Sequence, residues 1–138
     1  MFYESGLENN WQEDCMLELT IEKDTSFEGT ETITIIQGNG TADFVYEVVG
    51  FKYNRKPVTK KISCSESRLI FEAFEALNFT EIFKESGVFF GCDGWTLKCT
   101  LRICSNILSV SLWCPAKDTS KPETKKLLEA CEMVYNII

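Results

Sequence analysis

Two residue types in this chain are dense enough to do chemistry: carboxylates and cysteines. The first 47 residues carry eleven acids (Glu4, Glu8, Glu13, Asp14, Glu18, Glu22, Asp24, Glu28, Glu31, Asp43 and Glu47) and one base, Lys23. That third is formally −10 in a chain of net −7, and the other 91 residues hold ten acids and thirteen bases. Charge of one sign gathered in this way attracts and steers a partner of the opposite sign. Carboxylates also catalyse, but glycoside hydrolysis needs one pair set across a cleft. Here many acids share one region and no pair stands out.

The seven cysteines are Cys15, Cys64, Cys92, Cys99, Cys104, Cys114 and Cys131. Four of them, Cys92, Cys99, Cys104 and Cys114, fall within 23 residues, at spacings of six, four and nine intervening residues. A zinc knuckle wants two ligands separated by two to four residues, backed by a matching pair. Packed thiols explain this cluster better, so no metal and no cofactor are expected. The stretch from Met1 to Asn10 has neither the basic nor the apolar region of a secretory signal. The expectation is a cytoplasmic chain with reduced, mostly buried cysteines.

The composition excludes further chemistry. There is no histidine, so Ser–His and Cys–His nucleophile pairs and the commonest neutral metal ligand are missing. No phosphate-binding glycine loop is present, because Gly38-Asn39-Gly40 precedes a strand-like stretch and signals a hairpin turn. No run approaches the roughly 20 apolar residues that span a bilayer. A strongly acidic domain is a poor direct ligand for nucleic acid, whose phosphates need Lys and Arg. The expectation is that the chain is not an enzyme and binds neither nucleic acid nor membrane.

Apolar periodicity supplies the elements that must position these groups. Cys15, Leu17, Leu19 and Ile21 alternate with Met16, Glu18, Thr20 and Glu22, the pattern of a half-buried strand. Asp24 to Gly29 reads as a connection. A second strand is predicted from Thr30 to Gln37. A third runs from Asp43 to Tyr53, apolar on both faces and therefore expected to be central. A fourth spans Val58 to Cys64, with Val58, Ile62 and Cys64 inward.

Ser63 and Glu66 have the spacing of a reciprocal helix cap, and Leu69, Ile70, Ala73, Phe74 and Leu77 recur at helical intervals as far as Asn78. A further short turn is allowed over 80–84. Trp95, Leu97, Cys99, Leu101 and Ile103 alternate cleanly, turn at Ser105-Asn106, and return through Leu108, Val110, Leu112 and Cys114. A last helix is expected near Ser120, capped through Ser120 and Glu123, with Leu127, Leu128, Cys131, Val134, Tyr135 and Ile138 as its apolar stripe. The order is ββββ-α-ββ-α: one α+β domain over residues 1–138, with a mostly antiparallel sheet of about six strands, two helices and a polar segment at 1–13.

On this layout the candidate partner-binding residues are Glu18 and Glu22, extended by Glu13, Asp14, Asp24 and Glu28, with Trp11 as an aromatic anchor. For Glu18 and Glu22 the plainer alternative is a solvated strand face. Trp95 is expected to pack in the core, while Trp11 and Trp113 are balanced between packing and interface.

The closing stretch, GWTLKCTLRICSNILSVSLWCPAKDTSKPETKKLLEACEMVY, resembles the strand–strand–helix endings of bacterial toxin immunity proteins, including those of contact-dependent growth inhibition. It covers about one-third of the chain. The resemblance implies a small acidic cytoplasmic protein that neutralises the basic toxin domain, often a nuclease, at the C-terminus of a secreted effector. It assigns no residue and leaves the oligomeric state open. Two other readings remain. One is a type III-like secretion chaperone, which an exposed apolar edge strand would favour over a compact acidic patch. The other is a small-ligand binding domain with a pocket between sheet and helices.

Overall fold

The alternating segments pair into one antiparallel sheet. The computed structural model describes residues 16–25, 29–38, 41–50, 56–86, 94–115 and 119–138. The six strands are β1 (Leu17–Thr25), β2 (Gly29–Gln37), β3 (Thr41–Val49), β4 (Val58–Ser63), β5 (Trp95–Ile103) and β6 (Asn106–Trp113). Their spatial order is β4-β3-β2-β1-β5-β6. The first four form a meander, and the β5–β6 hairpin returns to pair with β1. The class and the strand order along the chain agree with the sequence reading.

The central strands are β1 and β2, not β3 as its two-sided apolar pattern suggested. β3 lies one strand from the edge, and of its outward residues Val45 is half-buried and Val49 exposed. Asp24 belongs to β1 rather than to a connection. Cys64 starts a helix rather than ending β4, and Val58 is exposed, which leaves Ile62 as the buried anchor of β4.

Every buried strand residue lies on one face. Leu19 and Ile21 oppose Ile35 and Ile33 on one side and Leu101 and Cys99 on the other, all at most 1% exposed. Ala42, Phe44, Ile62, Leu97, Val110 and Leu112 complete this layer. The period of two puts all of them on the same side of the pleat.

The helices close over that face. They number three rather than the two expected: α1 (Cys64–Glu75), α2 (Phe79–Ser86) and α3 (Pro122–Tyr135). α1 begins where expected, with the Ser63 hydroxyl accepting the Glu66 N–H at 3.1 Å. Sequence suggests only a turn over 80–84, because Asn78 has the character of a helix end, whereas α2 runs Phe79–Ser86. The Asn78 side chain instead caps α2, accepting the Glu81 N–H at 3.1 Å. α1 packs on β2, β3 and β4, α2 packs on β6, and α3 lies against both helices. Phe71, Phe74, Ile82, Leu127 and Val134 carry this packing, each at most 2% exposed. Ser67, also buried, donates to the Gln37 side-chain oxygen, and the Gln37 amide reaches the Cys64 sulfur at 3.2 Å, so the polar pair joining β2 to α1 is satisfied.

The start of α3 corrects another expectation. Ser120 does not cap it: the N-cap position is Lys121 and has no side-chain cap bond. The free N–H groups of Glu123 and Thr124 instead donate to the Glu85 carboxylate of α2 at 3.2 and 2.8 Å, and the Thr124 hydroxyl adds a bond at 2.9 Å. A carboxylate suits this position, because unpaired N–H groups and the helix dipole converge there.

Burial opposes ionisation of Glu85. The bonds from Thr124 and Glu123, with the charge of Lys121, outweigh it and hold the carboxyl below its ordinary pKa of 4.5. The unfolded chain then binds this proton more readily than the folded one. The contribution of Glu85 to stability is therefore full above pH 4.5 and is lost as the pH falls through the lower folded value. In Glu85→Gln the melting temperature should depend less steeply on pH between about 5 and 3 than in the parent. Superimposable profiles would show that the carboxylate carries no linked stability.

Candidate functional site

Two surfaces carry groups that the fold itself does not consume. The first is the sheet face opposite the helices. Among the described residues no helix covers it and none of its side chains is fully buried. Glu18, Glu22 and Asp24 all point to this side. Register sets Glu18 between Ile36 and Arg102, Glu22 between Thr32 and Lys98, and Asp24 between Thr30 and Thr96. Asp43 and Glu47 of β3 share the face, and Asp43 pairs with Lys61. Thr34, Thr20 and Thr100 form a hydroxyl row across β2, β1 and β5, Val45 separates it from Thr59 of β4, and Thr100 shares a hydrogen bond with Ser109 at 3.2 Å.

The structure sets Glu18, Glu22 and Asp24 on one face. It also sets Lys98 and Arg102 beside them, so the face is mixed, with acids in excess. Trp11, Glu13, Asp14 and Glu28 lie outside the described residues. Trp113 is half-buried at the edge of this face.

The second surface is on the helix side, where sequence reasoning placed nothing. The inward positions of β1 run Leu17, Leu19, Ile21 and then Lys23. Those of β2 run Ile35, Ile33 and then Glu31. At this end of the sheet the apolar pattern stops, with Lys23 opposite Glu31 on one side and Leu97 on the other. Charge at a core-phase position breaks the rule that builds the rest of the sheet, and such breaks mark functional or strained sites.

The space above them is a cavity of about 410 Å³ between the sheet and α3, within the usual size range of small-ligand pockets. Trp95, Leu97 and Leu128 give it an apolar lining, and Glu129, Glu132 and Tyr135 come from α3. The Lys23 ammonium sits 4.8 Å from the centroid of the Trp95 ring, a cation–π distance. No carboxylate among the described residues pairs with it. Glu31 accepts the Tyr46 hydroxyl at 2.8 Å. Burial, and then the nearby Glu31 charge, push the Tyr135 phenol well above its ordinary pKa, so it remains a neutral donor. Trp95, expected in the core, is half-buried at this pocket.

The cysteines separate by role. Cys99 and Cys131 are buried with their sulfurs 3.6 Å apart, joining β5 to α3. Their shared hydrogen bond, then burial, raise the Cys99 thiol well above its ordinary pKa and keep it protonated. The Cys114 sulfur accepts the Trp95 N–H at 3.3 Å. Cys104, in the turn after β5 at φ 56°, is disulfide-bonded, which departs from the expectation of reduced thiols throughout. Cys64, Cys99, Cys114 and Cys131 are free. Cys15 and Cys92 lie outside the described residues. Among the described residues no group of three or more potential ligands converges on a metal position, and no helix is long and apolar enough to cross a membrane.

Among the described residues these features define a sheet-and-helix protein of the α+β class with an open sheet face and a charged pocket behind it. Compared with known proteins, the sequence matches no family model and no curated protein.

Proposed function

We propose that this chain is a non-catalytic binding protein whose open sheet face docks a basic protein, in the manner of an immunity protein holding a cognate toxin domain, a nuclease being the basic target of choice. One observation carries the reading. A six-stranded face that no helix covers among the described residues holds Glu18, Glu22, Asp24, Asp43 and Glu47 against Lys61, Lys98 and Arg102. Excess acid accelerates encounter with a basic partner, while the interleaved cations and hydroxyls fix register and reject poorly matched ones. The proposed location is the cytoplasm. The four free thiols suit it, and the Cys104 bond counts against it.

The test is capture of the partner from the producing cell, followed by association kinetics with the captured protein at low and high salt. Glu18→Lys with Glu22→Lys should slow association at low salt by about ten- to a hundredfold and flatten its salt dependence. Glu72→Lys with Glu75→Lys, on the exposed side of α1, serves as the equal-charge control and should change it far less. Equal slowing by both pairs would leave only net charge, and no change in either would remove the open face from the interface.

A second observation favours the secretion-chaperone reading. β6 is an edge strand with Ile107 and Leu108 exposed at 61% and 44%. Such an edge accepts an added strand from an extended segment. Amide exchange of β6 in the captured complex separates the two: protection of β6 supports the chaperone, and protection of β1 and β2 supports docking on the face.

A further inference from the structure

The pocket beside Lys23 lies on the side of the sheet opposite the open face, so docking of a protein there does not explain it. We propose that this pocket is a binding site for a small organic cation, an amine or quaternary ammonium on an apolar body, with the cationic head on Trp95 between Glu31 and α3.

Three features carry the assignment. First, a cation already occupies the ring: the Lys23 ammonium lies 4.8 Å from the Trp95 centroid. The negative face of an indole attracts ammonium groups, and a site already holding one from its own chain has the right potential for another. Second, the charge balance favours a cation. Glu31, Glu129 and Glu132 line the cavity against Lys23 and Lys125. Tyr46 holds the Glu31 carboxylate through a 2.8 Å hydrogen bond, which keeps it in place when the site is filled. Third, Leu97 and Leu128 receive the body of the ligand in a cavity of about 410 Å³, enough for a ring and a substituted nitrogen.

Tyr135 stays a neutral phenol because burial and the Glu31 charge disfavour its anion. It therefore adds an aromatic wall and a hydrogen-bond donor without adding charge. Lys23 acts as a built-in competitor. It lies at the end of β1, half-exposed, and its flexible stem lets the ammonium swing out as the ligand enters.

This arrangement predicts a sign that a site for anions reverses. The probes are benzyltrimethylammonium, benzyl alcohol and phenylacetate, titrated into the intact chain by calorimetry and by the Trp95 indole N–H resonance, assigned with Trp95→Phe. The ammonium should bind about tenfold or more tightly than the alcohol or the carboxylate. Lys23→Met keeps the apolar stem and removes the competitor, so it should tighten ammonium binding by about three- to tenfold.

Glu31→Gln retains the Tyr46 partner and should weaken ammonium binding by a similar factor. Glu132→Gln, at an exposed position of α3, should weaken it less and serves if Glu31→Gln melts early. Preference for phenylacetate, weakening of the ammonium by Lys23→Met, or no saturable response to any probe at millimolar concentration would each overturn the assignment.

Discussion

Replacing Phe74 by alanine should lower stability by about 3–5 kcal/mol, more than any surface change in this chain. Phe74 is fully enclosed. It lies on α1, the helix that packs on β2, β3 and β4 and against α3. Alanine removes a ring at the junction of both layers, and neighbours held in a sheet cannot collapse into the space. The cost is the lost transfer energy plus the cavity. For a chain of this size the melting temperature should fall by roughly 10–20 °C. Leu69→Ala on the same helix is the control. Leu69 is 60% exposed, and its truncation should stay within about 0.5 kcal/mol. Similar losses for both would mean that α1 presents a different face to the sheet. Because α1 bears on β2, the strand that carries Glu31, partial loss of this packing should also loosen the pocket.

The sheet was legible because strands with one buried face write that face into the sequence. Leu19 and Ile21, Ile33 and Ile35, and Leu97, Cys99 and Leu101 alternate with polar residues, and each set is buried as its phase requires. What sequence could not supply was pairing across long separations. The real cap of α3 comes from Glu85, 38 and 39 residues before the amides it accepts, whereas the local spacing of Ser120 and Glu123 pointed to a cap that does not form. Asn78 has the character of a helix end, and the same residue caps the start of the next helix.

The pocket leaves a signal in the sequence. Lys23 and Glu31 continue the inward phases of their strands, so they are charges at core positions. Sequence alone shows Lys23 only as the lone base among acids; its place opposite Glu31 and over Trp95 follows from the strand register. The acidic face was legible in part. Phase alone puts Glu18 and Glu22 on one side; Asp24 joins them only because β1 runs on through a stretch that reads as a connection, and Arg102 and Lys98 arrive from β5, some 80 residues later in the chain.

Gly29→Ala should cost about 2–3 kcal/mol although it adds only one methyl group. Gly29 opens β2 at φ 113°, a conformation that residues with a Cβ rarely adopt. A Cβ there would lie 2.3 Å from the Val49 carbonyl oxygen and 2.5 Å from the Gly50 Cα. Both are backbone atoms, so no side chain can swing aside, and relief requires β2 and the end of β3 to part. The Gly29 carbonyl also accepts the Thr25 hydroxyl at 2.9 Å, which ties the end of β1 to the start of β2.

Two residues on from Gly29, Glu31 faces Lys23 across the ladder, so strain at Gly29 reaches the charged end of the pocket as well as the fold. Amide exchange should show lost protection from Thr30 to Thr32 and at Val48 and Val49, with Ile35 and Phe44 still protected. The Lys23–Trp95 contact should loosen in step, seen as a shift of the Trp95 indole resonance. Gly38→Ala is the comparison, since among the described residues a Cβ there meets only the Thr41 carbonyl oxygen at 3.1 Å, and it should cost well under half as much. If Gly29→Ala is as stable as the parent, the start of β2 accommodates a side chain, and the close approach of Gly29 to Val49 does not constrain the sheet.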